Sequence, residues 1–227
     1  MTEVFKLHTV IFSDFDGTIT ERDVIVMIME KFASQEWILI KDKILYERTI
    51  TLKDGVEKLF SLIESSKRTQ ITNFVKKEVK LRAGFVEFLD FCNTNEIEFN
   101  VLSGGLDFFV EPVLENYKDK LKIFCNLGNF DSKNIKINYK YLPKNCTLCG
   151  ECGCCKIEII ENYPKDRFHR VVIGDSLTDL APSKIADLVF ARADLIKYLE
   201  QEKIPCLPFK DFFEVQKQLQ QKLLLKT

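Results

Sequence analysis

The sequence predicts an α/β protein: a doubly wound parallel sheet with a small helical cap inserted after the first strand. Three observations lead there. A β-branched and aromatic run at residues 9–13, Thr-Val-Ile-Phe-Ser, ends in Asp14 and reads as a buried strand feeding an acidic turn. From about 22 to 80 the apolar residues recur at helical spacing with no strand signal between them, as in Met27, Phe32, Trp37, Ile40 and Ile44, then Val56, Leu59, Phe60 and Ile63. After Gly84 helical and strand patterns alternate, which is the signature of a parallel sheet wound on both faces.

In that alternating part, a helix over about 85–95 precedes a strand at Glu98–Leu102 that runs into Ser103-Gly104-Gly105. A helix over about 106–117 leads to a strand around Leu121–Cys125. Residues 129–141 read as a hairpin that turns at Asp131-Ser132-Lys133-Asn134. The strand Arg170–Ile173 runs into Gly174-Asp175-Ser176, and a helix begins near Thr178. A short strand near Leu188–Phe190 and further helices complete the chain. The expected division is a catalytic core of residues 1–21 and 82–227 and a helical cap of 22–81.

Composition narrows the functional classes. Of 227 residues, 46% are hydrophobic and 30% charged, enough for a sizeable core. With 33 basic and 34 acidic residues the formal net charge is −1, so no whole-molecule field favours nucleic acid or an anionic membrane. Neither is expected as a partner. The longest apolar stretch near the start, Val24–Met29, is far short of the roughly 20 residues that span a bilayer. Glu3, Lys6 and His8 interrupt any signal-peptide pattern, so a cytoplasmic protein with mostly reduced cysteines is expected. Nothing in the sequence fixes an oligomeric state.

Ligands of doubly wound sheets bind at the carboxyl ends of the strands, and Asp14, Ser103 and Asp175 all fall at such ends. In Asp14-Phe15-Asp16-Gly17-Thr18-Ile19-Thr20, two carboxylates two residues apart suit attack on phosphorus by one and proton transfer by the other. Gly17 would admit a close backbone approach. An ordinary acidic turn is the competing reading. Ser103-Gly104-Gly105 offers a hydroxyl and amides for phosphoryl oxygens, or only a flexible loop. Gly174-Asp175-Ser176-Leu177-Thr178-Asp179 offers hard oxygen ligands for Mg²⁺, or only a helix cap. Lys156 by itself reads as one more surface lysine.

In order and spacing, these four features resemble the signatures of the haloacid dehalogenase-type phosphatases, and the helical insertion resembles the mobile cap of the branch containing phosphoserine phosphatase. The likeness extends through Glu36-Trp37, Ser103–Phe109 and Cys152–Lys156 to the phosphatases of methionine salvage. It implies a Mg²⁺-dependent hydrolase of a small-molecule phosphate ester, 2-hydroxy-3-keto-5-methylthiopentenyl-1-phosphate, acting through an aspartyl-phosphate. It further implies Asp14 as nucleophile and Asp16 as acid and base, with Ser103 and Lys156 beside the phosphoryl group. Metal ligands would be Asp14, the Asp16 carbonyl and Asp175, with Asp179 orienting Lys156 or a metal-bound water. Thr18, Gly104, Gly105 and Glu21 would face phosphate or substrate, although Thr18 could equally stabilise its turn and Glu21 could be an exposed helix-start acid. The alternatives are a phosphatase for another small metabolite, such as phosphoserine or a phosphorylated amino alcohol, and a metal-binding or redox regulator on a retired scaffold.

Met27, Trp37 and Phe108 would suit a methylthio tail, but each taken singly reads first as ordinary core packing. The run Cys146-x₂-Cys149-x₂-Cys152-x-Cys154-Cys155 places five thiols in ten residues. Packed thiols beside Lys156 are expected, with a structural zinc site or a redox-sensitive disulfide as the alternatives.

Overall fold

The computed structural model describes residues 7–143 and 152–224. β1 (His8–Ser13) is the central strand of a seven-stranded sheet in the order β4-β3-β2-β1-β5-β6-β7. It pairs in parallel with β2 (Glu98–Leu106) on one side and β5 (Phe168–Gly174) on the other. β3 (Lys122–Asn129), β6 (Leu188–Ala191) and β7 (Leu207–Pro208) extend the parallel sheet, and among the described strands only β4 (Lys136–Asn138) runs antiparallel, at the edge. Chain order therefore reverses direction at β1, and a crevice opens there at the carboxyl ends of the strands.

Burial on both faces explains the unbroken apolar strands. Successive side chains point to opposite faces. Ile11, Phe99, Val101, Val171 and Ile173 join the main core on one side, while Val10, Phe12, Leu102 and Val172 pack with Ile159 and Ile160 on the other. The first face is covered by α5 (Phe85–Thr94) and α10 (Phe212–Leu224), where Phe85 meets Phe99 and Phe212 edge-on and Phe88 stacks on Phe212. The second is covered by α7 (Lys156–Glu161) and α8 (Leu180–Lys184), while α9 (Ala193–Gln201) packs over β6 through Leu195 and Leu199.

Between β1 and α5 stand α1 (Val24–Phe32), α2 (Glu36–Leu45), α3 (Leu52–Ser61) and α4 (Arg68–Glu78). Asp23 and Thr51 cap α1 and α3 by accepting from Val26 N–H and Asp54 N–H. The chain leaves the sheet and returns to it side by side: Thr20 bridges Leu81, Glu21 N–H donates to Lys80 O, and Arg82 N–H donates to Ile19 O. Met27, Trp37 and Phe108 are all buried, Phe108 between Phe60, Phe109 and Phe130.

Several elements differ from the sequence expectation. The predicted 106–117 helix is α6 (Asp107–Leu114) followed by a 3₁₀ turn at Glu115–Tyr117. The first leg of the hairpin is the continuation of β3, which resumes pairing at Leu106↔Asn126 after an irregularity in β2. α7, β7 and the turn Leu177–Asp179 ahead of α8 are too short to show a period.

Pro112 lies inside α6 and has no N–H to give the Phe108 carbonyl. The Thr72 hydroxyl of α4 donates to that carbonyl instead, at 2.8 Å, and so pins the helical segment to the sheet layer. Thr72→Val should cost about 1–3 kcal/mol by leaving the carbonyl unsatisfied. Adding Pro112→Ala should restore part of that loss, since an alanine in place of the proline regains an N–H. A double-mutant cycle by urea unfolding measures the coupling.

Candidate active site

Asp14 follows directly on β1 and is 8% exposed, with its N–H donating to Ile173 O of β5 as the strand pairing ends. Its Oδ1 accepts from Lys156 Nζ at 2.6 Å, and the same ammonium donates to Asp179 Oδ1 at 2.7 Å. Lys156 opens α7, and Asp179 closes the 3₁₀ turn after β5. The ammonium and the Asp179 carboxylate are 6% and 2% exposed, so this chain of three charges is almost wholly desolvated. Asp179 Oδ2 meanwhile accepts from the Asp175 and Ser176 amides at 3.1 and 3.2 Å. Gly174 makes room for it: a Cβ there would lie 2.4 Å from Asp179 Cγ.

Asp14, Asp175 and Asp179 each present a carboxylate oxygen within 4.8 Å of the others. Asp175 Oδ1 is buried with no partner. An orphaned carboxylate oxygen among hard anionic donors fits a divalent cation. Burial first, then the neighbouring Asp14 and Asp179 charges, raises Asp175 to about 8. Burial also lifts Asp14 to about 7, against the opposing pull of Lys156. Burial alone would lower the Lys156 ammonium, but Asp14 and Asp179 outweigh it and hold it above its ordinary range.

Asp16 points away from that group. Its Oδ1 accepts from Val24 N–H, the first amide of α1, at 2.9 Å, and its Oδ2 from the Ser103 hydroxyl at 3.4 Å. Burial, with Asp23 and Asp14 nearby, raises its carboxyl well above the usual carboxylate range. Ser103 is fully buried, and its Oγ accepts the Gly105 amide at 2.9 Å. Gly104 is half-buried and open where a Cβ would stand. Thr18 is buried with an unpartnered hydroxyl; Thr20 is the residue that closes the turn, accepting from Gly17 N–H and donating to Phe15 O. Glu21 is exposed at the outer end of the loop.

Three residues that the sequence did not single out brace these loops. Arg82 donates to the carbonyls of Gly17, Thr18 and Thr20 at 2.6–2.9 Å. Arg192 donates to Gly17 O at 2.5 Å. Asn126, fully buried within β3, donates to Gly104 O and Gly153 O and accepts from Lys140 N–H, tying the Ser103 loop to the segment before Lys156. Their local sequence carries no signal, because the partners are distant backbone carbonyls.

Cys154 is buried among Val10, Phe12 and Ile160, and Cys155 against Ile157 and Ala181, as small apolar groups. Burial pushes the Cys154 thiol up to about 12, so it is not a thiolate at neutral pH. Cys146 and Cys149 lie outside the described residues. None of the described helices is long and apolar enough to cross a membrane.

A buried lysine between two carboxylates at the switch point of a doubly wound sheet is a centre for handling an anionic ester. Residues 9–223 match the family described as "Putative Phosphatase", and the chain belongs to it: this is a phosphatase of the haloacid dehalogenase type. A "2-hydroxy-3-keto-5-methylthiopentenyl-1-phosphate phosphatase" of Geobacillus thermodenitrificans (strain NG80-2) is 43% identical over 215 residues, covering 95% of this chain and 97% of its own. One so named from Geobacillus kaustophilus (strain HTA426) is 44% identical over 210 residues, covering 91% and 93%. The fold is also that of a structure described as "Phospho-Aspartyl Intermediate Analogue of Phosphoserine phosphatase", with TM-score 0.68 and 20% identity over 93% of this chain and 99% of that one.

The raised carboxyls set the pH dependence of the cation-free protein. Unfolded aspartates titrate near 4, whereas Asp14 and Asp175 titrate at about 7 and about 8 in the fold. Between those limits the native state holds protons that the unfolded chain has released, so stability falls as pH rises through the window. A bound divalent cation takes the place of those protons. Melting temperatures with and without added cation should therefore diverge from pH 5.5 to pH 8, the cation-free protein losing stability.

Proposed function

We propose that the chain hydrolyses 2-hydroxy-3-keto-5-methylthiopentenyl-1-phosphate, the substrate named for its relatives of 43–44% identity, through an aspartyl-phosphate on Asp14. The observation that carries the chemistry is the Asp14–Lys156–Asp179 chain beside the three-carboxylate group. Asp14 Oδ1 is engaged by Lys156, and its other oxygen is the nucleophile or cation ligand. Attack on phosphorus splits one difficult displacement into two easier ones.

Asp16, whose carboxyl burial holds well above its ordinary range, is biased toward its protonated form and donates to the departing enol oxygen. It then takes a proton from the water that cleaves the aspartyl-phosphate. Ser103, 3.4 Å from Asp16, and the open backbone at Gly104 face the phosphoryl oxygens. Lys156 balances the charge of nucleophile and phosphate in a desolvated site. Mg²⁺ would be held by Asp14, Asp175 and the Asp16 carbonyl, and when bound supplies further neutralisation of the phosphoryl charge. Both oxygens of Asp179 already accept hydrogen bonds, which favours its reading as the group that orients Lys156. Residues 22–81 form a cap whose closure excludes water and selects the substrate, and the bond from Val24 N–H to Asp16 links its first helix to the acid. The enzyme works as a cytoplasmic one.

The test is phosphate release with Mg²⁺ on the methylthio enol phosphate, phosphoserine and p-nitrophenyl phosphate. Turnover should be fastest on the first and fall to background in Asp14→Asn, whose fold is kept because Asp179 still holds Lys156. Equal rates on all three esters would discard the substrate. Asp16→Asn should lower kcat by about 10²–10⁴-fold, with a smaller loss for esters of acidic leaving groups that need no proton.

A further inference from the structure

The turn from β6 into α9 reaches back across the rim of the sheet. Arg192 N–H donates to Gly174 O at 3.1 Å and Leu195 N–H to Asp175 O at 2.9 Å. Between them Ala193 has φ 47°, a left-handed conformation that a residue with a Cβ seldom adopts. The flanking bonds hold it there, so this turn is built against the Asp175 loop.

From that turn the Arg192 side chain extends over the Asp14–Thr20 loop. Its Nη1 lies 2.5 Å from Gly17 O and 3.9 Å from Asp175 Oδ2, the second an ion-pair distance. The same oxygen of Asp175 sits against the Gly17 backbone, where a Cβ would come within 2.4 Å of it. One oxygen of Asp175 thus faces Gly17 and Arg192. The other, Oδ1, is buried and unpartnered.

We propose that Arg192 is a positioning residue for the cation site: by engaging Gly17 O and Asp175 Oδ2 together, it locks the two acidic loops and leaves Asp175 a single oxygen for the cation. The inference rests on the cation site proposed above. Arg192 does not touch the substrate or the reacting atoms; it acts through Asp175. One nitrogen, Nη1, meets both acceptors, and the rigid guanidinium plane holds it at a fixed orientation that the flexible stem of a lysine does not supply.

Two physical effects of Arg192 have opposite signs. As a mere positive charge near a ligand it repels an incoming cation, and removing it should tighten binding. As a brace it removes in advance the freedom that the carboxylate would lose on binding, and removing it should weaken binding. Groups that orient metal ligands typically contribute about 10–100-fold to affinity.

The experiment titrates metal-stripped protein with Mn²⁺, read by the paramagnetic resonance of the free ion, for wild type, Arg192→Gln, Arg192→Lys and Asp175→Asn. Thermal melts establish that each variant is folded. We expect Arg192→Gln to bind Mn²⁺ about 10–100-fold more weakly, Arg192→Lys to recover only part of that loss although it keeps the charge, and Asp175→Asn to lose binding. If Arg192→Gln binds as tightly as wild type or more tightly while Asp175→Asn does not bind, the brace is wrong and the site stands. If wild type takes up no Mn²⁺, or Asp175→Asn binds like wild type, the site falls and the brace with it. Should Arg192→Gln fail to fold, Arg192→Lys decides: wild-type affinity overturns the proposal and a tenfold or greater loss supports it.

Discussion

A single ammonium group, Lys156, sits between Asp14 and Asp179 with almost no exposure to water. Three aspartates gathered within 4.8 Å would repel one another strongly in so dry a place. The lysine offsets part of that repulsion and fixes the distance between the loop after β1 and the loop after β5. Burial, together with the remaining excess of negative charge, raises the titration of Asp14 and Asp175. A site with surplus buried carboxylate attracts positive charge.

Such a cluster needs a rigid frame, and the frame is mostly backbone carbonyl. Arg82 and Arg192 converge on Gly17 O, Thr20 closes the turn below it, and Asn126 joins the Ser103 loop to the segment before Lys156. Planar guanidinium and amide groups meet several acceptors at once, so few side chains hold many loops. Small residues allow the close approaches: Gly17 admits Asp175, and Gly174 admits Asp179. The carboxylates are thereby oriented before any ligand arrives, which is how a site lowers the reorganisation that a reaction requires.

The helical segment is tied into this frame at a few identifiable points. Asp16 accepts from the start of α1, the Tyr139 hydroxyl donates to Lys53 O in α3, and Thr72 satisfies the carbonyl that Pro112 leaves open. These are single hydrogen bonds around an apolar contact in which Phe60 stacks on Phe109 and meets Phe108 edge-on. The arrangement joins the segment to the acid residue at one end and to the rim loops at the other.

The main elements and the strand-end carboxylates were legible in the sequence because their signals are local. Short β-branched and aromatic runs mark β1, β2 and β5, and helical spacing marks α1–α5, within windows of about ten residues, while Asp14, Asp16, Ser103 and Asp175 stand at or just past predicted strand ends. Lys156 was legible only as part of a family pattern, since nothing around it distinguishes it from a surface lysine. Which carboxylates lie close together, and that Asp16 turns from them toward α1, was decided by the tertiary structure. So were the assignments of the turn to Thr20 instead of Thr18, of the Gly105 amide to Ser103, and of the bracing role to Arg82, Asn126 and Arg192. The physical reason is the same in each case. Hydrophobic periodicity is written along the chain, whereas a hydrogen bond between Arg192 and Gly17 spans 175 positions and leaves no mark on the residues beside either partner.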